Sequence, residues 1–327
     1  MSKISLSLTL VATMLVPLMH AAPVHAQATR TWVSGVGDDA NPCSRTAPCK
    51  TFAGAISKTA LNGEINCLDP GGFGAVTITK SITIDCHEIF ASILNSGTNG
   101  VNIPFNSFNA ADTRKTVRLR NINFNGADTG VNGIRITGGA VIAAGVVIIE
   151  DCLIDGNFAG AANGISDERT GGGELYISNT TVRNTGAIGI MINPGSGTAV
   201  GQVIAAVLDN VRVQNSFIGL GVGNNGIVMV NRSVFSGHTS AGIAVAGTLA
   251  AAQVNVSNSI VTSNNGNGIQ NLAGTVTIRL SNNDIAFNGT GISGATQSFT
   301  NNRIAGNGSP GTAPTAIGTT SNPTGQQ

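Results

Sequence analysis

Charged residues make up only 10% of the 327-residue chain and aromatic residues only 4%, with a single tryptophan and a single tyrosine. The chain is instead rich in glycine, with 44 residues, and in asparagine, with 35, alongside valine and isoleucine. Because these residues lose backbone or side-chain freedom in a helix, we do not expect a helix bundle or a coiled coil. The apolar content of 41% is enough to build a core, which argues against a disordered chain.

No surplus of charge of either sign remains once the first 26 residues are set aside. Those residues comprise Lys3, an apolar run over 4–18 and small residues up to 26, which predicts a signal peptide cleaved before Gln27. A membrane anchor is the alternative, but about 15 apolar residues are short for the roughly 20 that span a bilayer. The remaining chain has sixteen basic and sixteen acidic residues. We therefore expect a secreted protein, periplasmic or extracellular, with no membrane span and no nucleic-acid partner.

Histidine is also scarce, since only His87 and His238 follow residue 26. Metal sites built on several histidines are therefore not expected, and we predict no metal and no cofactor. The segment Gly71-Gly72-Phe73-Gly74 is similar to the start of a calcium-binding nonapeptide, but it occurs once and Val76 stands where that repeat has aspartate. Calcium therefore has no support from the sequence.

One pattern recurs along most of the chain: an Asn or Asp anchor with apolar residues two and four positions before it and another three after it. This alternation before the anchor is the periodicity of a β-strand. A Gly-Ile or Gly-Leu step, such as Gly164–Ile165, follows most copies. The anchors are Asn121, Asp151, Asn179, Asn210, Asn231, Asn258, Asn282 and Asn301.

Consecutive anchors are 19 to 31 residues apart, with no helix between the strands. Spacing this short predicts an all-β solenoid, a single-stranded parallel β-helix of about ten coils. Stacked coils lie about 4.8 Å apart, so equivalent asparagine side chains are expected to hydrogen-bond along the stack as a ladder. Propeller blades need about 40–50 residues each, and a sandwich does not repeat one signature eight times.

Five cysteines follow the predicted cleavage site, and in an oxidising compartment they predict two disulfides and one free thiol. Cys67 and Cys86 occupy the anchor position of adjacent coils, about 4.8 Å apart and within the roughly 4.4–6.8 Å that a disulfide spans, so we predict that bond. Cys43 and Cys49 then close a short loop. We expect Cys152 to be a small buried or wall residue rather than a reactive thiol.

The exposed ends of a coil stack need covering. Residues 50–61 have Phe52, Ala55 and Ile56 at helical spacing, which predicts a short capping helix. The predicted boundaries are a signal peptide over 1–26, an N-terminal strand and capping helix over 27–63, the β-helix over 64–307 and a disordered tail over 308–327.

The segment before the first coil contains Trp32-Val33-Ser34-Gly35, then Pro48-Cys49-Lys50-Thr51-Phe52 and Asp69-Pro70-Gly71. With these residues, the sequence over about 30–307 resembles secreted right-handed parallel β-helix proteins of the pectate-lyase-like superfamily. The resemblance implies a right-handed helix. Enzymes of this fold usually act on polysaccharides with acidic or basic residues on a strand face, although one fold hosts many functions.

Catalytic candidates are few. The motifs of polygalacturonase-like members are missing in usable form, since Gly237-His238-Thr239 lacks a second glycine. Glu150 and Asp209 share the outward position just before the anchor, two coils and roughly 9–10 Å apart. That separation suits the two carboxylates of an inverting hydrolase, and a solvated wall is the alternative interpretation.

A second group of charges lies in a long corner, where Asp167 and Glu168 are candidate catalytic acids and Arg169 a candidate binding residue. The alternative is that all three are solvent-exposed loop charges.

The outward position three before the anchor is apolar in four consecutive coils: Ile148, Tyr176, Val207 and Val228. It is interpreted as a groove for a sugar chain, with Tyr176 binding, as a partner face, or as the bed of the corner loops. Our leading hypothesis is a non-catalytic surface, adhesion or glycan-binding module with a carbohydrate or cell-surface partner. The alternative is a polysaccharide lyase or glycoside hydrolase acting on an extracellular polysaccharide.

Overall fold

The computed structural model describes residues 27–139, 145–194, 202–247 and 252–318. The predicted signal peptide and the last nine residues of the predicted tail lie outside these ranges. The described residues form thirty short strands, numbered β1 to β30 in chain order, with one α-helix, α1 (Phe52–Lys58), and one 3₁₀ turn (Phe105–Ser107). Strand pairing is parallel in both of the sheets that they build.

Sheet A has twelve strands and forms one wall of the molecule. Its strands are β1 (Ala28–Val33), β2 (Thr59–Cys67), β5 (Ile82–Asp85), β8 (Thr116–Arg120), β11 (Gly145–Glu150), β14 (Gly173–Ser178), β16 (Ile204–Asp209), β18 (Gly226–Asn231), β21 (Gln253–Ser257), β24 (Thr277–Ser281), β27 (Gln297–Ser298) and β30 (Thr315–Ala316).

Sheet B has eighteen strands. They are β3 (Gly71–Gly72), β4 (Val76–Thr77), β6 (Ala91–Leu94), β7 (Asn99–Pro104), β9 (Ile122–Asn125), β10 (Asn132–Thr137), β12 (Leu153–Asn157), β13 (Asn163–Asp167), β15 (Thr181–Ile192), β17 (Arg212–Val222), β19 (Val234–Ser236), β20 (Ala241–Val245), β22 (Ile260–Thr262), β23 (Asn267–Asn271), β25 (Asp284–Ala286), β26 (Thr290–Ser293), β28 (Arg303–Ala305) and β29 (Ser309–Gly311). Because β15 pairs with both β12 and β13, sheet B bends around a corner and supplies two walls.

Each turn of the chain passes once through sheet A and then through the two walls of sheet B. The chain therefore winds as a right-handed parallel β-helix, which confirms the predicted fold class. Its interior is filled by rows of stacked aliphatic side chains, such as Ile149, Ile177 and Leu208 on neighbouring strands of sheet A. Burying each such side chain contributes roughly 1.5–3 kcal/mol, so the core grows with every coil.

The chain leaves sheet A through a corner residue in the left-handed region, with φ between 49° and 55° in seven coils. Asparagine and aspartate tolerate this conformation better than other non-glycine residues, which explains the recurring anchor. The seven residues are Asn121, Asp151, Asn179, Asn210, Arg232, Asn258 and Asn282.

The anchor assigned to Asn231 was wrong by one residue, because Arg232 occupies that corner. Val228 and Val230 point into the core, while Ile227 and Met229 face outward. All four residues are apolar, so alternation alone does not decide which pair is buried, and a slip of one residue exchanges the two faces.

The predicted ladder appears as separate hydrogen bonds between neighbouring coils. Asn210 Nδ2 donates to Asn179 Oδ1 at 2.9 Å, and Asn282 Nδ2 donates to Asn258 Oδ1 at 2.8 Å. Asn258 reaches Asn231 at 2.9 Å, one position away from the corner. The remaining predicted members bond elsewhere: Asn121 to the carbonyls of Cys86 and Ile89, Asp151 to Arg120, and Asn301 to the backbone of Asn282.

Both predicted disulfides are present and confirm the cysteine assignment. Cys67 and Cys86 join adjacent strands of sheet A, with Cα atoms 4.8 Å apart. Cys43 and Cys49 close a short loop with Cα atoms 4.6 Å apart. Cys152 is free and buried. Two disulfides are typical of proteins from an oxidising compartment, such as the periplasm or the extracellular space.

The N-terminal end carries the predicted capping helix in a shorter form. Thr51 Oγ1 accepts from the Gly54 amide at 2.9 Å and starts α1, which buries Phe52 and Ala55. Helix α1 ends at Lys58 because the next residues pair with β1 as strand β2. No helix in the described ranges combines the length and apolarity needed to cross a bilayer.

The C-terminal boundary needs correction, because the coils continue past residue 307. Strand β29 pairs with β26, and β30 pairs with β27 in sheet A. Backbone hydrogen bonds to the preceding coil, such as that from Thr315 N to Thr296 O at 2.8 Å, hold this segment although it has few apolar side chains. The prediction of disorder from residue 308 was therefore wrong up to residue 318.

Candidate functional site

Alternate side chains of sheet A point outward, and the parallel register aligns them in rows across the strands. We call the first of two long rows the middle row: Arg30, Glu64, Thr83, Arg118, Ile148, Tyr176, Val207, Met229, Asn255, Arg279 and Gln297. The second is the corner row: Trp32, Asn66, Asp85, Arg120, Glu150, Ser178, Asp209, Asn231, Ser257 and Ser281.

The centre of the middle row is an apolar strip of four residues on consecutive strands: Ile148, Tyr176, Val207 and Met229. Met229 takes the place that the sequence assigned to Val228, which is buried. Three members of the strip are accessible: Tyr176, Val207 and Met229 are exposed by 40%, 38% and 39%. The strip is thus an open apolar track with polar side chains beside it.

Tyr176 has an exposed ring whose orientation is fixed by a hydrogen bond. Its hydroxyl donates to Glu174 Oε2 at 2.8 Å, two residues earlier on the same strand. This hydrogen bond to a carboxylate raises the pKa of Tyr176 above its ordinary value, which already keeps the hydroxyl protonated at neutral pH. The candidate binding residue therefore presents a neutral aromatic ring at the centre of the face.

Glu150 and Asp209 lie in the corner row on either side of Ser178. Glu150 Oε2 lies 2.6 Å from Arg118 Nε, and this partner raises the pKa of Arg118. The carboxylate is therefore committed to an ion pair with the neighbouring coil.

Asp209 is held in the same way by the side chain that follows the next strand. Arg232 Nε donates to Asp209 Oδ1 at 2.9 Å, and Asn231 Nδ2 donates to the same oxygen at 3.0 Å. The bond from Arg232 holds the pKa of Asp209 below its ordinary value. A general acid needs a raised pKa, so this environment opposes the acid role of an inverting pair.

The N-terminal half of the face is densely charged. Arg120 lies between two carboxylates, with Nη1 3.5 Å from Asp85 Oδ2 and Nε 3.7 Å from Asp151 Oδ2. On the first two strands, Arg30 Nη2 lies 3.1 Å from Glu64 Oε1. Each of these acids therefore has an arginine within ion-pair distance.

The long corner differs from both sequence interpretations, because Asp167 and Arg169 are neither exposed loop charges nor accessible to a polymer. Both side chains are buried, with 0% and 1% of their surface exposed. Arg169 Nε and Nη2 contact Asp167 Oδ1 and Oδ2 at 2.9 and 2.6 Å. This buried pairing opposes the candidate catalytic role of Asp167 and the candidate binding role of Arg169.

Glu168, between them, points the other way. Its Oε2 accepts from Arg135 Nη2 at 3.0 Å, and its Oε1 accepts from Ser166 Oγ at 2.7 Å. This half-exposed pair belongs to sheet B, so Glu168 does not join the candidates on sheet A. The structure thus brings Glu150, Asp209 and Tyr176 onto one face and leaves Glu168 on another.

His238 is part of an interior polar stack. Its Nδ1 accepts from the Ser216 amide at 3.2 Å, and its backbone amide donates to Asn264 Oδ1 at 3.0 Å. Asn264 Nδ2 then donates to Asn288 Oδ1 at 2.8 Å. Burial lowers the pKa of His238 to about 4, so the ring is a neutral structural residue at neutral pH.

The side chains that could bind a metal ion are dispersed over the described residues. In the described part of the chain, no three His, Cys, Asp or Glu side chains are arranged to hold a metal ion. The glycine segment with partial similarity to a calcium repeat runs into Val76, which is buried in β4 and paired with Val101. An apolar core residue therefore stands where a calcium ligand would be needed.

The sequence did not indicate that Arg30 and Trp32 begin the two rows. Strand β1 precedes the capping helix and lacks the anchor pattern, so it was not aligned with the coils. The available signal was the alternation with Thr31 and Val33, which are both fully buried.

No model of a known protein family matches the chain, and no curated protein matches it. Among solved structures, the chain is similar to pectate lyase Pel9A, with 14% identity, 89% of this chain and 78% of that chain covered, and a TM-score of 0.46. It is also similar to the A-module of the mannuronan C-5 epimerase AlgE4 from Azotobacter vinelandii, with 11% identity, 79% and 91% covered and a TM-score of 0.49. The Dettilon tailspike protein has 13% identity, 88% and 69% covered and a TM-score of 0.44. At these identities no activity is carried from those proteins to this one.

Proposed function

We propose that this protein is a secreted, non-catalytic module that binds a carbohydrate chain lengthwise along the outward face of sheet A. The observation that carries the proposal is the apolar strip, in which four apolar side chains follow one another at intervals of about 4.8 Å. A polysaccharide is a linear polymer whose sugar rings have apolar C–H faces and polar edges. A straight apolar track with polar rows beside it matches both features.

The polar side of the track is built from fixed groups. The pairs Arg118–Glu150 and Arg232–Asp209 present guanidinium donors and carboxylate acceptors beside the strip. Each guanidinium has five N–H groups and each carboxylate has several acceptor positions, so the pairs retain bonding capacity for sugar hydroxyls. Because the groups already hold one another in place, less side-chain entropy is lost when a ligand binds.

The same contacts support binding over hydrolysis. Hydrolysis by two carboxylates requires one of them to carry a proton near neutral pH. The pKa of Asp209 is lowered by Arg232, and Glu150 is bound to Arg118. The alternative function, a polysaccharide lyase or glycoside hydrolase, would use the same face. An assay for chain cleavage therefore distinguishes it from binding alone.

Binding is tested with a panel of neutral, uronic-acid and sulfated polysaccharides, measured by affinity electrophoresis and calorimetry. Tyr176→Ala and Val207→Asp are expected to weaken binding at least tenfold, because the first removes the ring and the second places a charge on the track. Ile260→Asp is the matched control, since Ile260 is exposed to a similar extent, 42%, but lies on sheet B. Equal effects of the two aspartate variants, or no binding to any polymer, would refute the proposal.

Catalysis is tested on the same panel by measuring new reducing ends and unsaturated uronate ends. Wild-type protein is expected to leave the polymers intact. Cleavage that disappears in Glu150→Gln while the fold persists would establish the alternative function instead.

A further inference from the structure

A cavity of about 440 Å³ lies at the N-terminal end of sheet A, where the middle and corner rows begin. Two strand intervals of about 4.8 Å separate β5, which carries Asp85 of the cavity, from β11, where the apolar strip begins. The residues that matter in its lining are Arg30, Trp32, Arg45, Asn66, Asp85 and His87. They combine the chain's only tryptophan with two guanidinium groups.

The two arginines of this cavity differ in their partners. Arg30 is paired with Glu64 at 3.1 Å, and Asp85 shares Arg120 with Asp151, at 3.5 and 3.7 Å. Arg45 makes no ion pair or side-chain hydrogen bond with any other residue in the described ranges. One guanidinium therefore remains unmatched at the cavity, which favours an anionic ligand.

The cavity is built on rigid supports. Arg45 lies in the loop that the Cys43–Cys49 disulfide closes, and the Cys67–Cys86 disulfide joins the two strands that carry Asn66 and Asp85. The Arg30 guanidinium carbon lies 5.8 Å from the centre of the Trp32 ring, and Arg30 Nε donates to Asn66 Oδ1 at 2.5 Å. These contacts hold the aromatic ring and the polar groups in position before a ligand arrives.

We infer that this cavity is a binding site for an acidic sugar residue, with the sugar ring against Trp32 and its anionic group at Arg45. The inference rests on the proposed function and deepens it: the acidic residue would be the one that anchors the end of a chain lying on the outward face. The anion is a carboxylate of a uronic acid or a sulfate ester, since a guanidinium binds both through paired N–H donors.

The single tryptophan makes occupancy of this cavity directly observable, because fluorescence excited at a wavelength that tyrosine does not absorb reports on Trp32 alone. Three monosaccharides with one ring configuration serve as probes: galacturonate, galactose 6-sulfate and galactose. A saturable fluorescence change is expected with galacturonate, galactose 6-sulfate or both, and the stronger of the two identifies the anion. The change is expected to weaken as salt concentration rises. No response, or an equal response to neutral galactose, would overturn the inference.

Arg45→Gln is expected to weaken the binding of the acidic probe about tenfold, because a charge-assisted hydrogen bond is lost. Arg279→Gln is the control, since Arg279 lies near the other end of the middle row. Thermal unfolding of each variant checks that the fold persists. An unchanged affinity in Arg45→Gln would overturn the inference.

The two proposals fail separately. Polymer binding that depends on Val207, with no response of Trp32 to any probe, would leave the proposed function standing and remove this site. A response of Trp32 to the acidic probe, with polymer binding unaffected by Val207→Asp, would leave this site and remove the track.

Discussion

Arg169 Nη2 lies 2.6 Å from Asp167 Oδ2, two residues earlier in the chain, and both side chains are buried. The same guanidinium donates to the backbone carbonyls of Gly145 and Glu174, and its central carbon lies 5.1 Å from the centre of the Phe105 ring. These contacts join the corner after β13 to strands β11 and β14. Arg169 therefore links neighbouring coils of the solenoid from the inside.

Removing either partner of this pair is expected to destabilise the protein strongly. Arg169→Met leaves the Asp167 carboxylate buried without a partner. Asp167→Asn leaves the buried Arg169 guanidinium without a negative charge beside it. Breaking a buried pair costs about 3–5 kcal/mol, which urea unfolding would measure as a lower midpoint. The matched control is Glu168→Gln, which breaks the half-exposed pair with Arg135 and is expected to cost about 0–1 kcal/mol. Equal losses in the buried and exposed variants would contradict this role.

The buried imidazole of His238 is expected to make stability depend on pH. Its folded pKa is about 4 against an ordinary value of 6.5, so between these values the unfolded chain binds a proton that the folded chain does not. Stability is then fully present above about pH 6.5 and falls as the pH falls towards about 4, by an amount on the order of 2–3 kcal/mol. Urea unfolding across this range measures the slope.

His238→Asn is the decisive variant, because Asn264 and Asn288 occupy the same stack in the following coils. It is expected to keep the fold and to flatten the pH dependence in this window. The exposed His87→Asn should leave the slope unchanged. A slope that survives in His238→Asn would assign the effect to other groups.

A column of glycines on sheet B has no room for side chains. A Cβ at Gly189 would lie 2.2 Å from Val213 Cγ1 and 2.8 Å from the Gly219 carbonyl oxygen. Gly189→Ala is therefore expected to lower stability by about 1–3 kcal/mol through overpacking. Gly274→Ala is the control, because a Cβ there meets no atom within 4 Å. Thermal melting that ranks the two variants in the opposite order would disprove the argument.

Cys152 is expected to be unreactive in the folded protein. Burial raises the pKa of its thiol to about 12, so almost none of it is thiolate at neutral pH. A chromogenic thiol reagent should therefore detect no thiol in native protein and one per chain after denaturation without reductant. Three or more thiols after denaturation would instead mean that a disulfide is absent.

The candidate site was partly readable from the sequence. Aligning the coils placed Glu150, Ser178 and Asp209 in one outward row, because strand periodicity is local and regular. Their arginine partners come from neighbouring coils, so which acids are neutralised depends on contacts 23 to 32 residues apart. Trp32 and its cavity were missed because β1 joins the sheet ahead of the repeat.

The sequence by itself determined the coiled architecture, the Cys67–Cys86 disulfide and the corner residues of most coils. These features follow from period-two alternation and from the backbone preferences of asparagine and glycine, which act within a few residues. Only the tertiary structure decided that Asp167 and Arg169 are buried and that Met229 rather than Val228 faces outward. Both outcomes depend on packing between coils, because burial and register are decided by neighbours that are distant in the chain.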